Sequence, residues 1–261
     1  MKFDKFSEQV FLASSRITIS NKNSSSIGTG FIVNIPFQDG TERSALYLVS
    51  NKHVFIDPEN RIEINFNKRD KNDIPILGDL RKFNSDSFSH LFTEHPDKKI
   101  DLACIDISII KEDRFRTSFR NLNLPMIADF TENDLVPGKE IWFVGYPDNR
   151  FDVKNNLPLL RKGHISSLPK IDFNGERKFV IDAQVFQGSS GSPVYTTLGN
   201  RFKLIGVITE TMIKHGRLQS IPSNHNDFGV EQYLGLGMVI KSTAVKELLD
   251  LAFSKTMKEL E

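Results

Sequence analysis

The chain has 261 residues, of which 39% are hydrophobic and 26% charged, and its formal net charge is +1. This length and apolar content suffice to bury a full core, and the balanced charge predicts no special attraction to nucleic acid. Cys104 is the single cysteine, so an internal disulfide is excluded and we expect a reducing compartment, the cytoplasm. No apolar run is long enough to span a membrane.

The amino-terminal segment predicts a short amphipathic helix rather than a signal peptide. Phe3, Phe6, Val10 and Phe11 recur at helical spacing, whereas Asp4 lies inside what would be the apolar core of a signal sequence. We expect this helix to pack against the rest of the fold.

Short segments rich in β-forming residues, separated by Asn, Asp, Gly and Pro, dominate the rest of the chain. Examples are residues 61–66, 102–107, 141–144 and 178–183. This pattern predicts an all-β double barrel. After the last strand, a serine or threonine at 242–243 can cap a final helix.

Two polar segments, 67–100 and 211–232, are predicted to be surface loops, and four of the six histidines lie in them: His90, His95, His215 and His225. The histidines show no paired spacing typical of metal ligands. We therefore expect no metal and no cofactor, and we interpret these side chains as solvated.

The stretch Gln-Gly-Ser-Ser-Gly-Ser-Pro at 187–193 is the most informative motif. Gly188 permits a backbone turn in which its own N–H and that of Ser190 converge on one point, as an oxyanion site requires. Ser190 would supply the attacking Oγ. Taken alone, the same stretch is better explained as a simple turn.

A serine nucleophile needs a base held by a carboxylate. His53 closes the apolar run 46–54, and Asp101 opens another buried strand, so the carboxylate could accept the Nδ1 proton and leave Nε2 free for Ser190. Asp97 and Asp106 are alternatives to Asp101, but they are placed in a charged loop and inside a strand respectively. His53 alone would more often be a strand-end histidine.

These residues, in the order His, Asp, Ser, resemble the trypsin/chymotrypsin-like serine proteases, and the HtrA-type branch most closely. The matching segments are 28–31, 48–54, 101–103, 182–193, 204–208 and 235–240, so the similarity spans about residues 27 to 250. The resemblance implies a single unit over 1–261, with two six-stranded-type barrels at about 15–125 and 135–241 and a C-terminal helix at 242–260. The sequence shows no PDZ-like segment after that helix, so we expect a bare protease domain without a PDZ domain.

Two positions depart from the family pattern. Ser192 replaces a usual glycine, where a Cβ could crowd the turn, although we expect tolerance rather than inactivity. Ser189 stands where the zymogen-activated members have an aspartate, so activation by trimming of the amino terminus is not expected. Loop ordering or a regulatory partner protein is the alternative switch.

The resemblance also assigns residues to substrate binding. Gln184 lies at the floor of the pocket for the residue preceding the cut, with Val185 beside it and Gly237 on a wall, while Thr209, Glu210 and Thr211 match the strand that aligns substrate. No acid occupies the floor, which predicts neutral small or aliphatic residues there. Glu210 would overturn this expectation if it pointed into the cleft.

The sequence therefore predicts a serine endopeptidase acting on a peptide or protein substrate, with catalytic His53, Asp101 and Ser190 and an oxyanion hole from the N–H groups of Gly188 and Ser190. The alternative is a non-catalytic protease-fold module that binds extended peptides or a partner protein. A purely structural subunit explains none of the ordered motifs. Neither nucleic acid nor membrane is expected as a partner.

Overall fold

A computed structural model of the chain describes residues 3–22, 25–218 and 228–260. It begins with helix α1 (Phe6–Ala13), which confirms the helix predicted from the apolar spacing. The side chain of Glu8 accepts hydrogen bonds from the backbone N–H groups of Asp4 and Lys5, which satisfies donors at the helix start. Val10 is buried in the core.

The N-terminal half folds into one nine-stranded sheet. Its strands pair in the order β5-β4-β1-β2-β3-β7-β6, while β8 pairs with β4 and β9 runs parallel to β2. The first barrel that we expected is thus not closed. It is a sheet with β5 and β6 at the two ends of its pairing order. The strands are β1 (Ser14–Ser20), β2 (Ser25–Pro36), β3 (Ser44–Ser50), β4 (Arg61–Arg69), β5 (Pro75–Ser85), β6 (Phe92–Glu94), β7 (Ala103–Asp106), β8 (Thr117–Ser118) and β9 (Leu122–Asn123).

The C-terminal half is a closed barrel with the order β10-β11-β12-β15-β14-β13. Its interior is filled by apolar side chains that alternate along the strands, including Phe143, Phe179 and Ile208. The all-β class and the C-terminal barrel are as predicted. The strands are β10 (Glu140–Gly145), β11 (Leu159–Ile165), β12 (Lys178–Asp182), β13 (Pro193–Leu198), β14 (Arg201–Leu218) and β15 (Phe228–Lys241).

The described residues contain two further α-helices, α2 (Lys52–Phe55) and α3 (Ser242–Leu260). They also contain five short 3-10 helices, at Ser89–Leu91, Ser108–Lys111, Asp113–Phe115, Leu124–Met126 and Pro147–Asn149. The buried face of α3 belongs to a core cluster that also contains Tyr47 from the N-terminal sheet and Val207 from the barrel. Burial of each such side chain contributes about 1.5–3 kcal/mol, so α3 helps to fix the two halves against each other. Within the described residues, no helix is both long and apolar enough to cross a membrane.

The prediction of surface loops at 67–100 and 211–232 is wrong where the structure describes strands in these segments. Strand β5 pairs with β4, and β14 and β15 extend as a hairpin to Leu218 and from Phe228. The side chains of β5 are mostly solvent-facing, so the strand lacks the apolar alternation that sequence reading relies on. Of the histidines in these segments, His225 lies outside the described residues.

His95 is also not the solvated side chain that was predicted, because it is fully buried. Its Nδ1 accepts a hydrogen bond from the Asp97 N–H at 3.0 Å, and its Nε2 lies 3.5 Å from a carboxylate oxygen of Glu247 on α3. Burial, together with the nearby Arg177, lowers the pKa of this imidazole. His95 is therefore held neutral between the loop before β7 and helix α3.

Candidate active site

Strand pairing brings His53 and Asp101 together. His53 lies in the short helix α2 directly after β3, and Asp101 directly precedes β7, which pairs with β3 through Ser50 and Ala103. The Asp101 carbonyl oxygen accepts hydrogen bonds from the Lys52 N–H at 3.3 Å and from the Asn51 side-chain amide at 2.9 Å. Strand pairing and these two hydrogen bonds thus fix the backbone on both sides of the pair.

The His53 imidazole and the Asp101 carboxylate form a close pair. His53 Nδ1 lies 2.5 Å from Asp101 Oδ2, and the His53 backbone N–H donates to Oδ1 at 3.0 Å. The Thr209 hydroxyl donates to Oδ2 at 3.0 Å. Half of the His53 side chain remains exposed, so its outer face is open to a cleft.

The charge state of Asp101 fixes the tautomer of His53. Burial raises the pKa of the carboxyl, but the hydrogen bonds from His53 and Thr209 outweigh burial and leave the pKa below its ordinary value. The carboxylate is therefore ionised at neutral pH and can only accept hydrogen bonds. Nδ1 must carry the proton, which leaves Nε2 as the free acceptor.

Ser190 lies in the turn between β12 and β13. Two glycines shape this turn with positive φ, Gly188 at +79° and Gly191 at +84°. The Ser190 Oγ donates to the Thr209 carbonyl at 3.5 Å, and no hydrogen bond joins it to His53, both residues lying in the described chain. Ser190 and His53 line the same cleft, which has a volume of about 470 Å³.

The N–H groups of Gly188 and Ser190 are both free donors. Within the described ranges, neither donates to a protein acceptor. The carbonyl of Gln187 accepts from the Asp148 N–H at 2.5 Å, and that of Ser189 accepts from the Ser192 N–H at 3.0 Å. Because C=O and N–H point in opposite directions across a planar peptide, the two N–H groups are directed away from those partners. Two such donors on cleft-lining residues match an oxyanion site.

Ser192, which replaces a usual glycine of the family, is accommodated without a left-handed backbone. Its side chain is fully buried, and its Oγ lies against the Cα of Gly145, where an added Cβ would be only 2.1 Å away. The space for the serine hydroxyl is therefore provided by a glycine on the neighbouring strand β10. The Ser192 side chain therefore fits beside the turn without crowding it.

The residues predicted to bind substrate separate into two groups. Val185 packs against Gly237, and the Thr211 hydroxyl donates to the Val185 carbonyl at 3.0 Å, so these three residues are in contact. Gln184 is exposed. Glu210 is exposed and pairs with Lys178 at 2.9 Å, so its carboxylate is partly neutralised.

Three hydroxyl or amide side chains at the site were not predicted in these roles. Thr29 on β2 donates to the Gly188 carbonyl, Thr209 donates to Asp101, and the Asn51 amide donates to the Asp101 carbonyl. The signal that could have identified them is a polar side chain in or next to an otherwise buried strand.

No group of three or more His, Cys, Asp or Glu in the described part of the chain is placed to hold a metal ion.

Comparison with known proteins agrees with this fold. The sequence matches the trypsin-like peptidase domain family over residues 28–207, which is more than half of the chain. The protein belongs to this family of peptidase domains. No curated protein gives a significant match.

Solved structures show the same fold at low identity. The chain is similar to the scabies mite inactivated protease paralogue S-I1 (TM-score 0.55, 14% identity, 95% of this chain and 96% of that one). It is also similar to the thermostable serine protease AL20 from an extremophilic microorganism (0.52, 11%, 94% and 99%). A serine endoprotease from Yersinia pestis gives 0.51 and 18% identity, covering 93% of this chain and 63% of that one, so this chain spans less than two thirds of that protein.

Proposed function

We propose that the protein is a serine endopeptidase. The observation that carries the proposal is the His53–Asp101 pair, joined at 2.5 Å and facing the same cleft as Ser190 and two free backbone donors. This is the set of parts that acyl transfer requires: a nucleophile, an oriented base and an oxyanion site.

In the proposed reaction, Ser190 Oγ attacks the carbonyl carbon of the scissile peptide bond while His53 Nε2 takes the hydroxyl proton. The N–H groups of Gly188 and Ser190 hold the oxyanion of the tetrahedral intermediate. As the bond breaks, His53 gives its proton to the leaving amine, and an acyl-enzyme remains on Ser190. Water, deprotonated by His53, then hydrolyses this ester, and Asp101 stabilises the imidazolium in both halves.

Ser190 must change its side-chain rotamer for this reaction. Its Oγ now donates to the Thr209 carbonyl at 3.5 Å, a long and weak contact. Catalytic hydrogen bonds are often loose before substrate binds and tighten in the complex. A rotation about one bond frees Oγ to turn toward the imidazole.

We infer a preference for neutral small or aliphatic residues before the cut. The packing of Val185 on Gly237 and the Thr211 hydroxyl bound to the Val185 carbonyl support a narrow pocket. The contact of Glu210 with Lys178 supports the absence of a free counter-charge for basic side chains. A peptide library should be cleaved after alanine or valine rather than after lysine, arginine or phenylalanine, and Thr211→Gly should admit larger side chains.

Labelling with a fluorophosphonate, followed by peptide mapping, tests the proposed chemistry. We expect one adduct on Ser190 that is lost in both Ser190→Ala and His53→Ala. The other serine of the turn provides a matched control, because Ser189→Ala should label like the wild type. A folded wild-type protein that neither labels nor cleaves a peptide library would contradict the proposal.

A non-catalytic module that binds extended peptides is the second candidate. It is favoured by one observation, the contact of Ser190 Oγ with the Thr209 carbonyl in place of His53. An inactivated paralogue is among the proteins of the same fold. Peptide binding that is equal in the wild type and in Ser190→Ala, with no cleavage by either, would support this candidate.

A further inference from the structure

Thr29 lies where strand β2 of the N-terminal sheet meets the turn that carries Ser190. The residue is fully buried. Its backbone N–H donates to the Ser190 carbonyl at 2.9 Å, and its own carbonyl accepts from the Ser50 hydroxyl at 2.6 Å. Thr29 is thereby fixed to its own sheet on one side and to the turn of the barrel half on the other.

The Thr29 hydroxyl makes a second connection to the same turn. It donates to the Gly188 carbonyl at 2.9 Å and accepts from the Tyr146 N–H at 3.2 Å. A hydroxyl has one proton to donate, so these two contacts set its direction and leave no freedom to swap partners. The end of β10 and the Ser190 turn are therefore joined through one side-chain atom.

Two glycines let the neighbouring backbone pack closely around Thr29. A Cβ on Gly145 would lie 2.8 Å from the Thr29 Oγ1, and a Cβ on Gly191 would lie 2.0 Å from its carbonyl oxygen. Contacts this short exclude any side chain at either glycine. The backbone approaches Thr29 from both sides.

We propose that Thr29 is a positioning residue for the oxyanion site. The two residues whose N–H groups would bind the oxyanion are Gly188 and Ser190, and Thr29 holds the carbonyl groups of both. The Thr29 backbone N–H holds the Ser190 carbonyl and the hydroxyl holds the Gly188 carbonyl, so the hydroxyl limits rotation of the peptides next to the Gly188 N–H and keeps that donor aimed at the same point as the Ser190 N–H. The inference rests on the proposed function, because the oxyanion site belongs to that reaction.

The variant Thr29→Val removes the hydroxyl at nearly constant shape. We expect kcat to fall by roughly 10- to 100-fold, because a displacement of about 1 Å in a catalytic group costs on the order of 100-fold. KM and the pH profile should stay near the wild-type values, since neither His53 nor Asp101 is touched. Thr29→Ser keeps the hydroxyl and should restore most of the activity.

Thr196 offers a matched control, because it is also a buried threonine whose hydroxyl donates to a backbone carbonyl, that of Glu140 at 2.6 Å. Thr196→Val should lose stability to a similar degree and keep kcat. A merely structural role for Thr29 predicts the same result for both valine variants. Equal kcat in Thr29→Val and the wild type, or equal losses in Thr29→Val and Thr29→Ser, would overturn the inference.

A crystal structure of Thr29→Val separates this inference from the proposed function. We expect the peptide joining Gln187 and Gly188, or that joining Gly188 and Ser189, to be rotated from its present orientation. An unchanged turn would refute the positioning role whether or not the wild type is active. An inactive wild type with a rotated turn in the variant would instead refute the proposed reaction alone. If the valine variant does not fold, Thr29→Ala, which leaves room for water, replaces it in both measurements.

Discussion

The two halves of the molecule hold their parts of the candidate site in different ways. In the N-terminal half, the site is held by side-chain hydrogen bonds. The Asp101 carboxylate binds both the His53 ring and the hydroxyl of Thr209, which belongs to the barrel. In the barrel half, the turn at Ser190 is held mainly by backbone groups and by glycines at positive φ, with one side-chain contact from the Thr29 hydroxyl. The His53–Asp101 pair is already formed, whereas the proposed reaction still requires the Ser190 side chain to rotate.

This difference follows from what each part must do. A base needs a fixed tautomer, and the Asp101 carboxylate imposes one by accepting the hydrogen bond of Nδ1–H. An oxyanion site needs backbone N–H groups in an uncommon conformation, which glycine provides at low cost. Substitutions around the His53–Asp101 pair should therefore impair proton transfer, whereas substitutions in the Ser190 turn should impair backbone geometry.

Asp101→Asn should have the largest effect. An amide in place of the carboxylate can donate to Nδ1 and so stabilise the tautomer that carries its proton on Nε2, where it cannot accept from Ser190. We expect kcat to fall by about 10⁴-fold with the fold intact. Steady-state kinetics and circular dichroism measure the two quantities.

Asp106→Asn is the control for Asp101→Asn, because Asp106 is the neighbouring acid that the sequence alone leaves as an alternative. Its carboxylate accepts from the Ser108 N–H at 2.7 Å and makes no described contact with His53. Its kcat should equal that of the wild type. A comparable loss in both variants would mean that Asp101 has no special role.

Gly188→Ala should break the barrel side of the site. The added Cβ would lie 2.4 Å from the Tyr146 carbonyl oxygen, at a φ of +79° that alanine rarely adopts. Loss of one oxyanion donor lowers kcat by roughly 10²- to 10³-fold, and we expect a loss of that size. The affinity for a bound peptide should change less, since the ground state does not use this donor.

Gly199→Ala is the matched control for Gly188→Ala. Its φ is also positive, at +57°, but nothing lies within 4 Å of the added Cβ. The two variants thus share the backbone strain and differ in the site. If Gly199→Ala loses as much kcat as Gly188→Ala, strain and not the oxyanion turn explains the effect.

The sequence singled out three candidate residues that the structure places around one cleft, but it did not single out the side chains that support them. Ser190, His53 and Asp101 stand in short motifs at strand ends, where local chemistry is readable. The hydroxyls of Thr29 and Thr209 bind residues that are 159 and 108 positions away in the sequence. No local sequence pattern predicts a hydrogen bond to such a distant residue.

The fold shows the same limit. Strands with a buried face, such as β4 and β10, were predicted from their apolar residues, whereas β5 is held by backbone pairing and its polar side chains concealed it. His95 was misread for a related reason. Its surroundings in sequence are polar, and its burial comes from elements that are distant along the chain.

Thr209 connects the two halves, so its replacement sharpens the comparison between them. Its hydroxyl donates to Asp101, and its carbonyl accepts from Ser190. Thr209→Val removes only the first contact. A hydrogen bond to a charged group contributes about 1.5–3 kcal/mol, so we expect a loss of at most about tenfold to 100-fold in kcat. Thr209→Ser should retain the activity, and equal losses in the serine and valine variants would show that packing matters instead.

The smallest expected effect concerns stability and comes from His95, which connects the loop before β7 to helix α3. Burial and Arg177 lower the pKa of this imidazole in the folded chain, against the opposing influence of Glu247 and Asp97. As pH falls below the ordinary value of 6.5, the unfolded chain therefore binds a proton that the folded chain does not. The free energy of unfolding should decrease from pH 6.5 downward until the folded-state pKa is reached. Urea unfolding of the wild type and of His95→Gln measures this free energy, and we expect it to decrease less steeply with falling pH in the variant. Parallel curves would show that the stability of the N-terminal half does not depend on a neutral His95.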